Sequence, residues 1–123
     1  MLMEKSLKHM PRSINRAALV VRPRQPYLDW AASVDAEAPE HAKALLNRVS
    51  VYLVGEDPKE EAETAPLENY FEEIFELELA AWYTDEDQWP KPRTLALFHE
   101  WFEAVGESVV TDLEAGPIRA EKQ

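Results

Sequence analysis

Two sets of apolar residues recur at helical spacing, and each begins just after a proline. Leu67, Tyr70, Phe71, Ile74, Leu77, Ala81 and Trp82 follow Pro66, while Leu97, Phe98, Trp101, Phe102 and Val105 follow Pro92. Steps of three and four residues gather side chains on one side of a helix. Proline suits a first helical position, because the N–H it lacks would have no partner there. Gly106 is a natural stop for the second helix. Glu68, Glu72 and Glu76 form a separate acidic row on the first; such like-charge pairs cost about 0.3 kcal/mol each, which the apolar stripe easily offsets. Two one-sided helices need a common surface against which to bury their stripes, and a small sheet is what the rest of the chain offers. Phe71, Ile74, Phe98 and Phe102 are expected to be buried where helices and sheet meet.

The sheet is read from shorter runs. Ala17–Val21 is apolar without alternation, as in a strand covered on both faces, and Pro23 and Pro26 end it. Pro26 then opens a helix over Pro26–Ser33 with Tyr27, Trp30 and Ala31 on one side. The Ala-rich stretch Val34–Asn47, broken by Pro39, has room for a short helix around His41–Leu46. Arg48–Val54 reads as a strand with Val49, Val51 and Leu53 on one face. Gly55–Ala65 holds five acids and Pro58 and reads as a mobile acidic loop. Thr84–Lys91 is a hinge containing Trp89-Pro90, and Ser108–Leu113 is the last strand. The expected order is β-α-β-α-α-β: a small two-layer α+β domain over 13–115, with two amphipathic helices on a three-stranded sheet. A flexible basic tail (1–12) and a second flexible tail (116–123) flank it.

Charge is divided unevenly. Residues 1–28 hold six bases (Lys5, Lys8, Arg12, Arg16, Arg22, Arg24) and one acid, Glu4, a formal +5. The remainder holds seven bases and twenty-three acids, −16, for a net charge of −11. An acidic body of this kind repels polyanions and attracts basic partners. At 123 residues, with 46% hydrophobic content, the chain has the size and composition of one packed domain. It has no cysteine, which excludes disulfides, thiolate metal sites and cysteine nucleophiles, and fits a reducing cytoplasm. Residues 1–11 lack the uninterrupted apolar core of a signal peptide, and no run of apolar residues is long enough to span a membrane.

Motifs for chemistry are sparse. The three glycines stand far apart, so no phosphate loop is present, and a serine nucleophile would depend on one of only three histidines. His99 and Glu103, four residues apart on the second helix, fit a surface hydrogen bond better than a metal site, which needs at least three ligands. Arg22 and Arg24 flank Pro23 ahead of a helix start, where guanidinium groups can hold a carboxylate or phosphate. Asp29, His99 and Asp112 are supporting polar candidates for such an anion site. Pairing of the arginines with the protein's own acids is the favoured alternative. The acidic clusters lack the glycine and alternating aspartates of a calcium loop. No metal or cofactor is expected. Trp89, between acids and Pro90, fits equally an interface anchor and a plug between the two helices.

The phrases Asn15-Arg-Ala-Ala-Leu-Val-Val-Arg-Pro-Arg-Gln-Pro-Tyr-Leu-Asp-Trp30, Trp101-Phe102 and Asp112-Leu113 resemble a group of short bacterial proteins of unknown function. The resemblance spans roughly Ser13 to Leu113 and implies a bacterial origin and a shared fold, with no activity and no site residue. The functional expectation is a non-catalytic cytoplasmic interaction or regulatory domain with a protein partner, possibly basic, and with no nucleic acid and no membrane. The alternative is a small anionic-ligand-binding domain or enzyme using Arg22 and Arg24.

Overall fold

The apolar run Ala17–Val21 lies in the central strand of a three-stranded sheet in the computed structural model, which describes residues 12–35, 38–55 and 67–121. The elements are β1 (Arg12–Ser13), β2 (Arg16–Pro23), α1 (Gln25–Val34), α2 (Ala38–His41), β3 (Ser50–Gly55), α3 (Phe71–Ala80), α4 (Leu95–Trp101), β4 (Phe102–Glu107) and β5 (Thr111–Asp112). Single 3-10 turns at Ala42–Leu45, Leu67–Asn69 and Glu86–Gln88 complete the described order. The protein is a small α+β domain. Its larger sheet has the order β3-β2-β4 and is antiparallel throughout, and β1 pairs with β5 in a separate two-stranded ribbon.

Alternation sorts the sheet residues between two faces. Ala17, Leu19 and Val21 point into the core and are at most 3% exposed. Tyr52 and Val54 on β3 and Phe102 and Ala104 on β4 join them there. Tyr27, Leu28, Trp30 and Ala31 from α1, Ile74, Phe75 and Leu79 from α3, and Phe98 from α4 fill the same cluster. Its centre is aromatic. The Phe102 ring lies 5.1 Å from Tyr27, 5.4 Å from Phe75 and 5.1 Å from Phe98, distances at which tilted and edge-on rings attract. The indoles of Trp30, Trp82 and Trp89 donate to the carbonyls of Gln88, Ala31 and Tyr83 at 2.7–2.9 Å, tying connecting segments to the helices.

Local chemistry explains the element ends. Pro26 stands in the first turn of α1, where no N–H is required. Thr94 caps α4 by accepting the Leu97 N–H on its hydroxyl at 3.1 Å, which satisfies one of the free donors at a helix start. Arg24 N–H donates to the Trp101 carbonyl at 2.8 Å, holding the end of α4 against the start of α1.

Three expectations need correction. The second amphipathic helix does not run to Gly106: it ends at Trp101, and β4 begins at the next residue. From Phe102 on, every residue to Glu107 faces a β2 partner, so ladder bonds replace helical ones, and Phe102 and Ala104 turn inward while Val105 turns out. The last strand of the three-stranded sheet is accordingly Phe102–Glu107, and only Thr111–Asp112 of the expected Ser108–Leu113 is a strand, in the separate ribbon. On α3 the buried stripe is rotated. Phe75, Glu78 and Leu79 are buried, whereas Leu77 is half exposed and Ala81 is exposed. Of the four side chains expected at the junction, Ile74, Phe98 and Phe102 are buried and Phe71 is partly so.

Arg12 belongs to β1, and residues 116–121 are exposed without regular structure. The expected acidic loop, from Glu56 on, and the proline at 66 lie outside the described residues, as do residues 1–11 of the expected basic tail.

Candidate functional site

The residues proposed for an anion site are distributed over β2, α1, α4 and the β1–β5 ribbon. Arg22 is half exposed at the end of β2 and reaches Glu103 on the paired strand, with 3.7 Å between Nη1 and Oε1. Arg24 is exposed at the N-cap of α1. Asp29, one turn further, accepts from the Gln25 side chain at 2.8 Å. His99 is exposed on α4, and because that helix stops at Trp101, Glu103 is no longer its i, i+4 neighbour and pairs with Arg22 instead. Asp112 lies opposite Arg12 in the β1–β5 ribbon and accepts the Glu114 N–H on Oδ1. That ribbon is separate from the three-stranded sheet that carries Arg22. Neither arginine lines the concavities at Glu72, Glu76 and Arg93, at Asp35, His41 and Trp82, or at Tyr52, Tyr70 and Leu77. Among the described residues, no three His, Asp or Glu side chains gather as a metal ion requires.

Trp89 is only 8% exposed. Its indole is bonded to Tyr83, and the Arg93 guanidinium sits 5.6 Å above the ring. The ring is packed into the core cluster.

Sequence reasoning missed Glu78. It is 1% exposed and is the one buried charged side chain among the described residues. The Tyr52 hydroxyl donates to its Oε2, and the Tyr27 hydroxyl donates to its backbone carbonyl at 2.6 Å. Arg48 Nε stands 3.8 Å from Oε1, an ionic contact too long for a hydrogen bond, and Oε1 accepts none. Burial pushes the Tyr27 phenol up to about 12, with the Arg48 charge acting against this and Glu78 adding to it. The Tyr52 phenol is raised too, first by burial and then by its bond to Glu78. Three elements thus meet at one residue, through its carboxylate and its backbone carbonyl, but none of the described concavities is lined by it. The cluster ties α1 and β3 to α3. The only sequence signal for it was its position, three residues after Phe75 and four after Ile74.

The second face of the sheet is different. Pairing aligns Val51, Val20 and Val105 in one row, and Leu53, Ala18 and Glu107 in the next. Val51 is 61% exposed, Leu53 49% and Val105 41%. Val49, ahead of β3, is exposed as well. Ala18, in the same face, is 5% exposed and lies outside the core cluster. Arg22 with Glu103 at one end and Arg16 at the other supply a charged rim. The expected strand begins at Ser50, so it presents Val51 and Leu53 but not Val49 on one face, and that face looks away from the core. The continuous apolar run in β2, expected in a strand covered on both sides, was the signal that this face wants cover.

No protein-family model, curated protein or solved structure matches the chain. No helix among the described residues is long and apolar enough to cross a membrane.

Proposed function

We propose that the protein is a non-catalytic interaction domain of the bacterial cytoplasm that binds a basic protein partner through the uncovered face of its sheet. In this reading the helices form one layer and the sheet the other, and the partner supplies what would be a third. The observation that carries it is the Val51–Val20–Val105 row, with Val51 and Val105 61% and 41% exposed. An apolar centre with a charged rim is the arrangement of a docking surface. The net charge of −11 favours a basic partner, steers its approach and opposes nucleic acid. The absence of cysteine and the resemblance to short bacterial proteins support the compartment and origin.

The ligand-binding alternative draws less support, since Arg22 is engaged by Glu103 and neither arginine lines the three concavities described above. Affinity purification at low and high salt tests the choice. The wild type should recover a basic protein at low salt and lose it at high salt, and a Val51→Lys/Val105→Lys variant should recover none. Equal recovery by the variant would contradict the proposed surface. A melting temperature raised by phosphate in the wild type but not in Arg22→Gln/Arg24→Gln would favour the anion site instead.

A further inference from the structure

The Gly55 N–H donates to the Tyr70 hydroxyl at 3.2 Å, so it points away from β2. In an antiparallel pair, opposed residues alternate between exchanging both backbone bonds and exchanging neither. Gly55 opposite Arg16 is therefore a non-bonded pair, and so are Leu53 opposite Ala18 and Val51 opposite Val20. The N–H and C=O groups of Val51 and Leu53 accordingly project from the outer edge of β3, which is an end strand of the sheet. Tyr70 occupies this edge at Gly55, and among the described residues nothing bonds to the edge groups of Val51 or Leu53.

Both flanks of that edge are apolar. On the outer face stand the exposed Val51 and Leu53 side chains. On the helix side runs a groove of about 160 Å³ lined by Tyr52, Val54, Tyr70, Glu73, Ile74 and Leu77. Leu77 is 50% exposed there. A space near 150 Å³ accommodates a benzene ring, so the groove has room for one long side chain.

We propose, building on the interaction reading above, that the edge of β3 is a strand-addition site for an extended segment of a basic partner protein in which apolar residues alternate with Lys or Arg. The added strand takes up the backbone groups of Val51 and Leu53, and its side chains point alternately to the two flanks. Those on the outer face lengthen the Val51–Val20–Val105 row and are best met by Val or Ile. Those on the helix side enter the groove, where Tyr70 and Leu77 pack against the stem of a Lys or Arg and the Glu73 carboxylate meets its head. A second copy of this chain is a poorer occupant. Its own β3 has no basic residue between Ser50 and Gly55, and two bodies of charge −11 repel.

The probe is a synthetic peptide of alternating valine and lysine, about ten residues long to match a full strand, titrated into the whole isotopically labelled chain. Backbone amide exchange is followed residue by residue. At saturation, exchange at the Val51 and Leu53 amides should slow by about tenfold or more. Glu73→Lys, an exposed change on α3 that leaves the fold intact by circular dichroism, should weaken binding roughly fivefold at low salt, with the difference shrinking as salt is raised. Slowed exchange at the same amides without peptide, growing with protein concentration, would overturn the occupant in favour of a second copy. Peptide binding that moves the Val20, Val51 and Val105 methyl signals yet leaves the edge amides exchanging freely would overturn the edge site while the face reading stands. Failure of the peptide to bind would also overturn the strand-addition site, and capture of a partner that depends on Val51 and Val105 would then show the face reading surviving alone.

Discussion

Glu78 brings a carboxylate into a core that is otherwise apolar, and its neighbours decide what that costs. Tyr52 donates to Oε2, Arg48 approaches Oε1 from the rim, and Oε1 accepts no hydrogen bond. Replacing Tyr52 with Phe withdraws the only donor that the described residues offer to a buried carboxylate, so it should destabilise the protein by about 2 kcal/mol, read from a lower urea midpoint. An unchanged midpoint would mean that the carboxylate finds water instead. The tyrosines also set a pH dependence. The folded-state pKa of Tyr27 is pushed up to about 12, while an unfolded chain ionises near the ordinary 10. The contribution of Tyr27 is complete below pH 10 and is lost as pH rises from about 10 through 12, at about 1.4 kcal/mol per pH unit. Unfolding free energy measured between about pH 9 and 12 should fall less steeply for Tyr27→Phe than for the wild type. Parallel curves would remove Tyr27 from the account.

Among the elements, the segment around Trp101-Phe102 is where the sequence was most ambiguous. Leu97, Phe98, Trp101, Phe102 and Val105 satisfy helical spacing, but Phe102, Ala104 and the outward Val105 satisfy strand alternation equally well. Local pattern cannot choose, and the choice is made by β2, a long-range partner that pairs with all six residues of β4. The start of α1 and the centre of β2 were legible because proline and an apolar run act locally, whereas α4 begins at Leu95 after its Thr94 cap and not at the expected Pro92. The rotation of α3 was not legible: Leu77 and Leu79 are interchangeable in a pattern, and only packing against the sheet buries one and exposes the other. The candidate surface was half legible, since Val49, Val51 and Leu53 were seen to share a face, but an apolar face reads as core until three-dimensional packing shows what covers it. Phe102 meets three aromatic rings and has no exposed surface, whereas Phe71 lies at the margin of the cluster. Phe102→Ala should therefore cost about 4 kcal/mol and Phe71→Ala about 2, compared by urea unfolding. Equal losses would argue against Phe102 as the centre of the core.

At the scale of the whole molecule, one sheet face is buried beneath an aromatic core and the other is left with Val51, Leu53 and Val105 41–61% exposed. The body that carries this face has the charge to attract a basic partner: twenty-four acids against thirteen bases across the chain. The central claim is that the outer face is uncovered in the folded protein and free to be occupied. Equilibrium urea unfolding of Val51→Lys/Val105→Lys, beside the wild type, tests it most directly. If the face is open to water, the lysines are solvated and the unfolding free energy should change by less than about 1 kcal/mol, the span of strand preferences alone. A loss of about 3 kcal/mol or more would mean that these positions are buried by the protein's own chain, and it would contradict the account.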